Sequence, residues 1–103
     1  MSIKSTILSG GTPTTVYQSA GQTAVTTSYY CNKSTQMVMI NIHLVPSGGV
    51  ALPDNIIYWQ LAIDANDTYI MDTERLIFSN NDSIVALATE VDAIVATVSY
   101  VEV

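Results

Sequence analysis

The chain is short of charge, and of positive charge above all. Charged residues make up 12% of its 103 positions, about half the ~25% of an ordinary soluble domain. Lys4, Lys33 and Arg75 are the only basic residues against nine acids, for a net charge of −6. Neutralising a nucleic-acid backbone takes a basic patch, which three scattered cations cannot make. Nucleic acid is excluded as a partner. One cysteine, Cys31, permits no intrachain disulfide, so the chain is no disulfide-stapled scaffold and its thiol is expected to stay free. A single histidine, His43, cannot complete a His/Cys metal set with it. No apolar run approaches the ~18 residues of a membrane span. The first eleven residues lack the apolar stretch and cleavage site of a secretion signal. The expectation is synthesis in the cytoplasm, with no membrane partner.

Leucine is sparse, and lysine and glutamate are too few to solvate helix faces, so composition disfavours helix. What fills the chain instead is threonine, valine, isoleucine and tyrosine, together 40 of 103 residues. These β-branched and aromatic side chains suit a pleated, half-buried surface.

The order of residues agrees. Over 37–45, Val38, Ile40, Ile42 and Leu44 alternate with Met37, Met39, Asn41 and His43, the period of two that marks a strand. Strands are likewise predicted at 24–31, 56–63, 83–89 and 94–103, with shorter ones at 3–8, 14–18, 68–71 and 75–79. In 56–63 the alternation puts Ile57, Trp59, Leu61 and Ile63 on one face. Turn residues separate the runs: Gly10 and Gly11, Gly21, residues 32–34 and 46–49, Pro53 to Asn55, residues 64–67, 72–74 and 80–82. Strands at 8–12-residue spacing predict an all-β fold: a single antiparallel β-sandwich, jelly-roll-like, of eight or nine strands. Its core should hold Val38, Ile40, Ile42, Leu44, Ile57, Trp59, Leu61, Ile84 and Val98. One domain spans 1–103, with residues 1–11 either its first strand or an N-terminal arm.

Charge is unevenly placed. Residues 1–53 contain no acid, while 54–103 hold all nine. Most acids fall in turns, where solvation accounts for them. The uncharged remainder is easier to desolvate at a contact.

Chemistry is hard to find. Cys31 and His43 lie on consecutive predicted strands, where they could be neighbours, yet they match no nucleophile signature. No Gly-x-Ser-x-Gly, P-loop or dinucleotide motif occurs. Asp64 with Asp67, and Asp72 with Glu74, pair carboxylates by proximity alone, without the cleft glycoside hydrolysis needs. Asp64, Asn66 and Asp67 resemble part of a calcium loop, but its glycine and distal glutamate are missing; a self-capping turn explains them better. The sequence predicts no enzyme, no metal and no cofactor.

Residues 16–32 (VYQSAGQTAVTTSYYCN) resemble a recurring opening in small β-sandwich virion structural proteins of tailed bacteriophages. There a Val-Tyr, a short glycine turn, a Thr-Ala-Val-Thr run and Cys-Asn lead into an alternating strand. Asp67 to Asp72, Glu74 to Phe78, Asp82 to Ile84 and the ending VSYVEV are similar to later parts of the same proteins. The resemblance runs from about residue 14 to the end and rests on turns and strands. It implies a non-enzymatic virion structural protein, foremost a capsid decoration (cement) subunit. Its partners would be other virion proteins, the major capsid protein first, and copies of itself. The alternative is a tail, neck or fibre-associated module that binds carbohydrate or receptor. The interface candidates are Ile3, Ile7 and Leu8 near the N-terminus, the paired tyrosines Tyr29 and Tyr30, and Met37 and Met39, whose adaptable side chains suit contact surfaces.

Overall fold

A computed structural model describes residues 2–50, 53–71 and 76–102. Its strands are β1 (Ser2–Ile7), β2 (Thr14–Gln18), β3 (Thr23–Asn32), β4 (Val38–Val45), β5 (Ile56–Ile63), β6 (Thr68–Met71), β7 (Leu76–Phe78), β8 (Ser83–Ala88) and β9 (Ile94–Glu102). A 3-10 turn, Pro53–Asn55, precedes β5. Pairing is nested from the outside in: β1 with β9, β2 with β8, β3 with both β6 and β7, and β4 with β5, all antiparallel. A ladder of that kind rolled on itself is a jelly roll. One sheet runs β1-β9-β3-β6, with β7 on the same edge of β3 as β6; the other runs β2-β8-β4-β5. The fold read from the sequence is the fold observed.

The core fills the space between the sheets. Val25, Tyr30, Ile94, Ala96 and Val98 of the first sheet join Val38, Ile40, Ile42, Ile84, Ala86 and Ala88 of the second in one buried cluster. Tyr17 extends it at one end, its ring 4.4 Å from that of Tyr100 and 6.4 Å from that of Phe78. At the other end Asn32, fully buried, has its whole amide satisfied. Its Nδ2 donates to the carbonyls of Gln36 (2.8 Å) and Ile63 (2.9 Å), and its Oδ1 accepts from the backbone N–H (3.0 Å) and hydroxyl (2.7 Å) of Ser34. A buried amide is tolerated when fully bonded, and this one fastens the end of β3 to the end of β5.

β1 is an edge strand of the first sheet, bonded to β9 along Ser2–Ile7 but largely exposed on both sides. Leu8, just past it, is fully buried, with its N–H donating to the Ile94 carbonyl at 2.9 Å. Gly10 then passes so close to the β8–β9 turn that a Cβ would sit 2.5 Å from the Val91 nitrogen. Only glycine fits there, because the neighbour is backbone and cannot step aside.

The expected core is corrected at β5. Ile57 and Trp59 are exposed, and Leu61 is half-buried, as is Leu44 on β4. The reason is a bulge. Ile42 pairs with Tyr58 and Ile40 with Leu61, so Trp59 and Gln60 together stand opposite Asn41. Gln60 takes a left-handed φ of 53°, and its N–H donates to Asn41 Oδ1 at 2.7 Å. One extra residue reverses the sense of the alternation. Tyr58 packs against the core before it, Leu61 and Ile63 after it, and Trp59 points away from the core.

Burial makes opposite expectations for two large side chains. Ile40→Ala should cost about 2–5 kcal/mol through the cavity it leaves. Trp59→Ala should stay within about 1 kcal/mol of wild type, as surface changes do. Urea unfolding of the two variants checks this; a large loss for Trp59→Ala would place the indole in the core.

Candidate functional site: the outer face of the first sheet

Alternation gives each strand of the first sheet an inner and an outer set. On β3 and β9 the inner set is Ser28, Tyr30, Ala96 and Val98, all buried. The outer set is therefore Thr27, Tyr29 and Cys31 on β3, and Val95, Thr97 and Ser99 on β9. The register carries this set across the sheet in rows. Ile3 stands beside Ser99 and then Thr27. Ser5, Thr97, Tyr29 and Ile70 form the next row, and Ile7, Val95, Cys31 and Thr68 the one after. Ile77 of β7 lies opposite Ala24 at the far corner. A hydrogen bond of 3.0 Å between the Ser5 and Thr97 hydroxyls confirms that neighbours in a row meet on this surface.

None of these outward residues is charged. Ile3 and Ile77 are each 69% exposed, and Ile7, Tyr29 and Ile70 are also open to solvent. Lys4 faces the other side of β1. The described acids lie off the face: Asp54 in the 3-10 turn, Asp64 and Asp67 between β5 and β6, Asp82 between β7 and β8, Glu90 and Asp92 between β8 and β9, and Glu102 at the end of β9. A protein of net charge −6 thus presents one broad side made of isoleucine, valine, threonine, serine and tyrosine. Exposed apolar groups gathered on one face mark an interaction surface.

The interface candidates from the sequence divide three ways. Ile3, Ile7 and Tyr29 belong to this face. Leu8 and Tyr30 do not, because both are fully buried in the core. Tyr29 and Tyr30 point to opposite sides of β3, and Leu8 follows the last residue of β1 into the interior. Met37 and Met39 lie with the other sheet: Met37 is exposed just before β4, and Met39 is half-buried on its outer side. Ile70 and Ile77 are the residues that sequence reading left out. Each is one apolar residue in a very short strand, and its direction is legible only once its neighbours Tyr69, Met71, Leu76 and Phe78 are seen packing inward.

The chemical candidates separate as well. Cys31 and His43 sit on strands of different sheets, so they are not cross-strand neighbours. His43 Nδ1 is 2.8 Å from Asn55 Oδ1. Asp64 and Asp67 shape a turn: the Asp67 N–H donates to the Asp64 carbonyl (3.1 Å), Asp67 Oδ1 accepts from the Thr68 N–H (2.8 Å), and Asn66 takes a left-handed φ of 61°. Asp82 is likewise bound to backbone, Oδ1 accepting from the Ser47 N–H at 3.0 Å and Oδ2 from that of Ser79 at 2.9 Å. Asp72 and Glu74 lie outside the described residues. Among the described residues no three His, Cys, Asp or Glu side chains come together as a metal set.

No family model matches this chain, and no curated protein or solved structure matches it.

The buried Tyr30 hydroxyl has no hydrogen-bond partner among the described residues, and neither has the Ser28 hydroxyl two positions before it. Burial pushes the Tyr30 phenol up to about 12, with the Ser28 hydroxyl opposing the shift and the Tyr58 phenol adding to it. The folded state therefore favours the neutral phenol. Its contribution to stability is intact below pH ~10 and is lost as the pH climbs from there towards about 12. Wild type should lose about 2 kcal/mol more than Tyr30→Phe by pH ~11.5. At neutral pH the variant should be equal or up to ~1 kcal/mol more stable, since it removes an unsatisfied buried group. Urea midpoints of both proteins across this range decide it; parallel curves would mean that the phenol titrates as freely folded as unfolded.

Proposed function

We propose that the chain is a non-enzymatic structural subunit that docks on neighbouring proteins through the outer face of its first sheet, as a decoration subunit of a phage capsid. The observation that carries the reading is the uncharged face: four isoleucines and a tyrosine among small hydroxyl residues, across five strands, on an acidic protein. Joining two proteins requires stripping water from both surfaces. Desolvating threonine, serine and valine costs far less than desolvating ions, so a face without charges suits a persistent contact. Its size suits one too. The two longer extents of the molecule, 38 and 27 Å, bound a side of roughly 1000 Å², where a stable interface takes ~800 Å² from each partner.

The placement in a virion rests on the sequence resemblance, and the partner it favours is the major capsid protein, with further copies of the chain beside it. The work of such a subunit is mechanical. A rigid jelly roll laid across neighbouring capsid proteins resists their separation by the area it covers on each.

Such docking should be held by apolar contact rather than ion pairs, and so persist in salt. Two measurements on virions of the phage that encodes the chain check this. Wild-type protein should remain on purified particles washed in about 0.5 M NaCl, where most surface ion pairs are screened. The double variant Ile70→Lys/Ile77→Lys should fold with a Tm close to wild type, since both side chains are exposed, yet be missing from the particles. Release of wild type by salt, or normal incorporation of the variant, would refute the docking face. Absence of the wild-type protein from virions by mass spectrometry would refute the particle.

A further inference from the structure

We propose that Trp59 and Gln60, on the outer side of the second sheet, form with the neighbouring cavity a binding site for a neutral pyranose sugar. The proposal stands apart from the docking face, since it concerns the opposite side of the sandwich.

Three observations converge. The first is Trp59 itself, the only tryptophan in the chain, 67% exposed on an edge strand. An indole left in water forgoes a large burial gain, and flat aromatic surface of this kind is a stacking platform.

The second is the backbone beneath it. Gln60 holds a left-handed φ of 53°, a region a side chain with a Cβ enters at a cost and glycine enters freely. A long amide kept at a strained, exposed position points to a role for the side chain. The bulge also turns Trp59 outward, which is a common use of bulges near sites.

The third is a cavity lined by Gln60, the residue after Trp59, and by Asn41, which stands opposite both. About 220 Å³ in volume, it opens on the outer side of β5, β4 and β8. Met39 and Leu87 supply an apolar floor, and Asn41, Gln60 and Thr89 supply amides and a hydroxyl. Asn41 Oδ1 is taken by the Gln60 N–H. The Asn41 Nδ2, the Gln60 side-chain amide and the Trp59 indole N–H have no hydrogen-bond partner in the protein among the described residues.

These features select a ligand class. A pyranose has an apolar C–H face and a rim of hydroxyls, matching an indole beside free amides. The cavity holds the volume of about seven waters, enough for one ring and too small for a large ligand. Among the described residues no lysine or arginine lines it, so a sialic or uronic acid or a nucleotide would bring a negative charge with no cation to meet it. A purely apolar partner would bury three unpaired donors.

Fluorescence of the single tryptophan reports directly on the site. The full chain is titrated with neutral oligosaccharides of glucose, galactose, mannose and N-acetylglucosamine, and with sialyllactose as the charged probe. At least one neutral sugar should give a saturable shift in the millimolar range, and sialyllactose none. Trp59→Ala, followed by NMR, should fold and lose that binding. Gln60→Gly should keep or raise Tm, because it relieves the left-handed residue, while weakening binding at least about fivefold. No response to any neutral sugar, an equal response to sialyllactose, or unchanged affinity in Gln60→Gly would each overturn the proposal. A shift driven by protein concentration alone would assign the tryptophan to self-association and overturn it too. Trp59→Ala should still join particles, so failure here and failure of the docking reading are told apart.

Discussion

The ladder between β3 and β9 is what the rest of the molecule depends on. Nine residue pairs join Thr23–Asn32 to Ile94–Glu102, the longest register in the structure. Every other strand of the first sheet hangs from it: β1 from the far side of β9, β6 and β7 from the far side of β3. Its inner residues are the floor of the core, and its outer residues are the middle of the uncharged face. The partners stand more than sixty residues apart in the chain, so closing this ladder closes the domain. Loop-closure entropy of that kind must be met before the contacts reward it, which places such a fold among slow folders.

Strand positions were largely legible in the sequence because alternation is a local property. Val38, Ile40 and Ile42 announce both the strand and its buried side, and so do Ile94, Ala96 and Val98. Alternation failed where the chain carries an extra residue. Ile57, Trp59, Leu61 and Ile63 share one parity and read as one face, yet the bulge at Gln60 splits them. Its signal is a glutamine in left-handed geometry, which no propensity anticipates; a glycine there would have been a warning. Leu8 and Tyr30 were misplaced for a related reason. An apolar residue beside a terminal segment, or one of two adjacent tyrosines, has no side until its strand has a neighbour.

The outer face was legible only in part. Ile3, Ile7 and Tyr29 drew attention singly as apolar residues in places open to a partner. That they join Ile70 and Ile77 on one surface depends on the nested order of pairing, which brings residues 3, 29, 70, 77 and 97 together from five strands. The absence of acids from residues 1–53 was visible in the sequence, but its consequence needed topology. β1 and β3 come wholly from the acid-free half, and β6, β7 and β9 carry their described acid only at the end of β9. Acids confined to turns in a jelly roll go to its ends and rims, and the sheet face is left bare.

The two sides of the sandwich therefore differ in kind. The first sheet shows a broad uncharged area; the second shows an edge strand with a bulge, an indole and a small polar-rimmed hollow. Extended area suits a protein surface, where shape complementarity over many residues matters and no single group dominates. A hollow beside one aromatic suits a small ligand held by a few directed bonds. In a sandwich the two outer faces point in opposite directions, so occupying one leaves the other free. A subunit seated by its first sheet would turn Trp59 towards the surroundings, and one seated by its second sheet would expose the isoleucines to water. Seating by the first sheet would take Ile3, Ile7, Ile70 and Ile77 out of water and leave outside the face whose indole is flanked by unpaired hydrogen-bond donors.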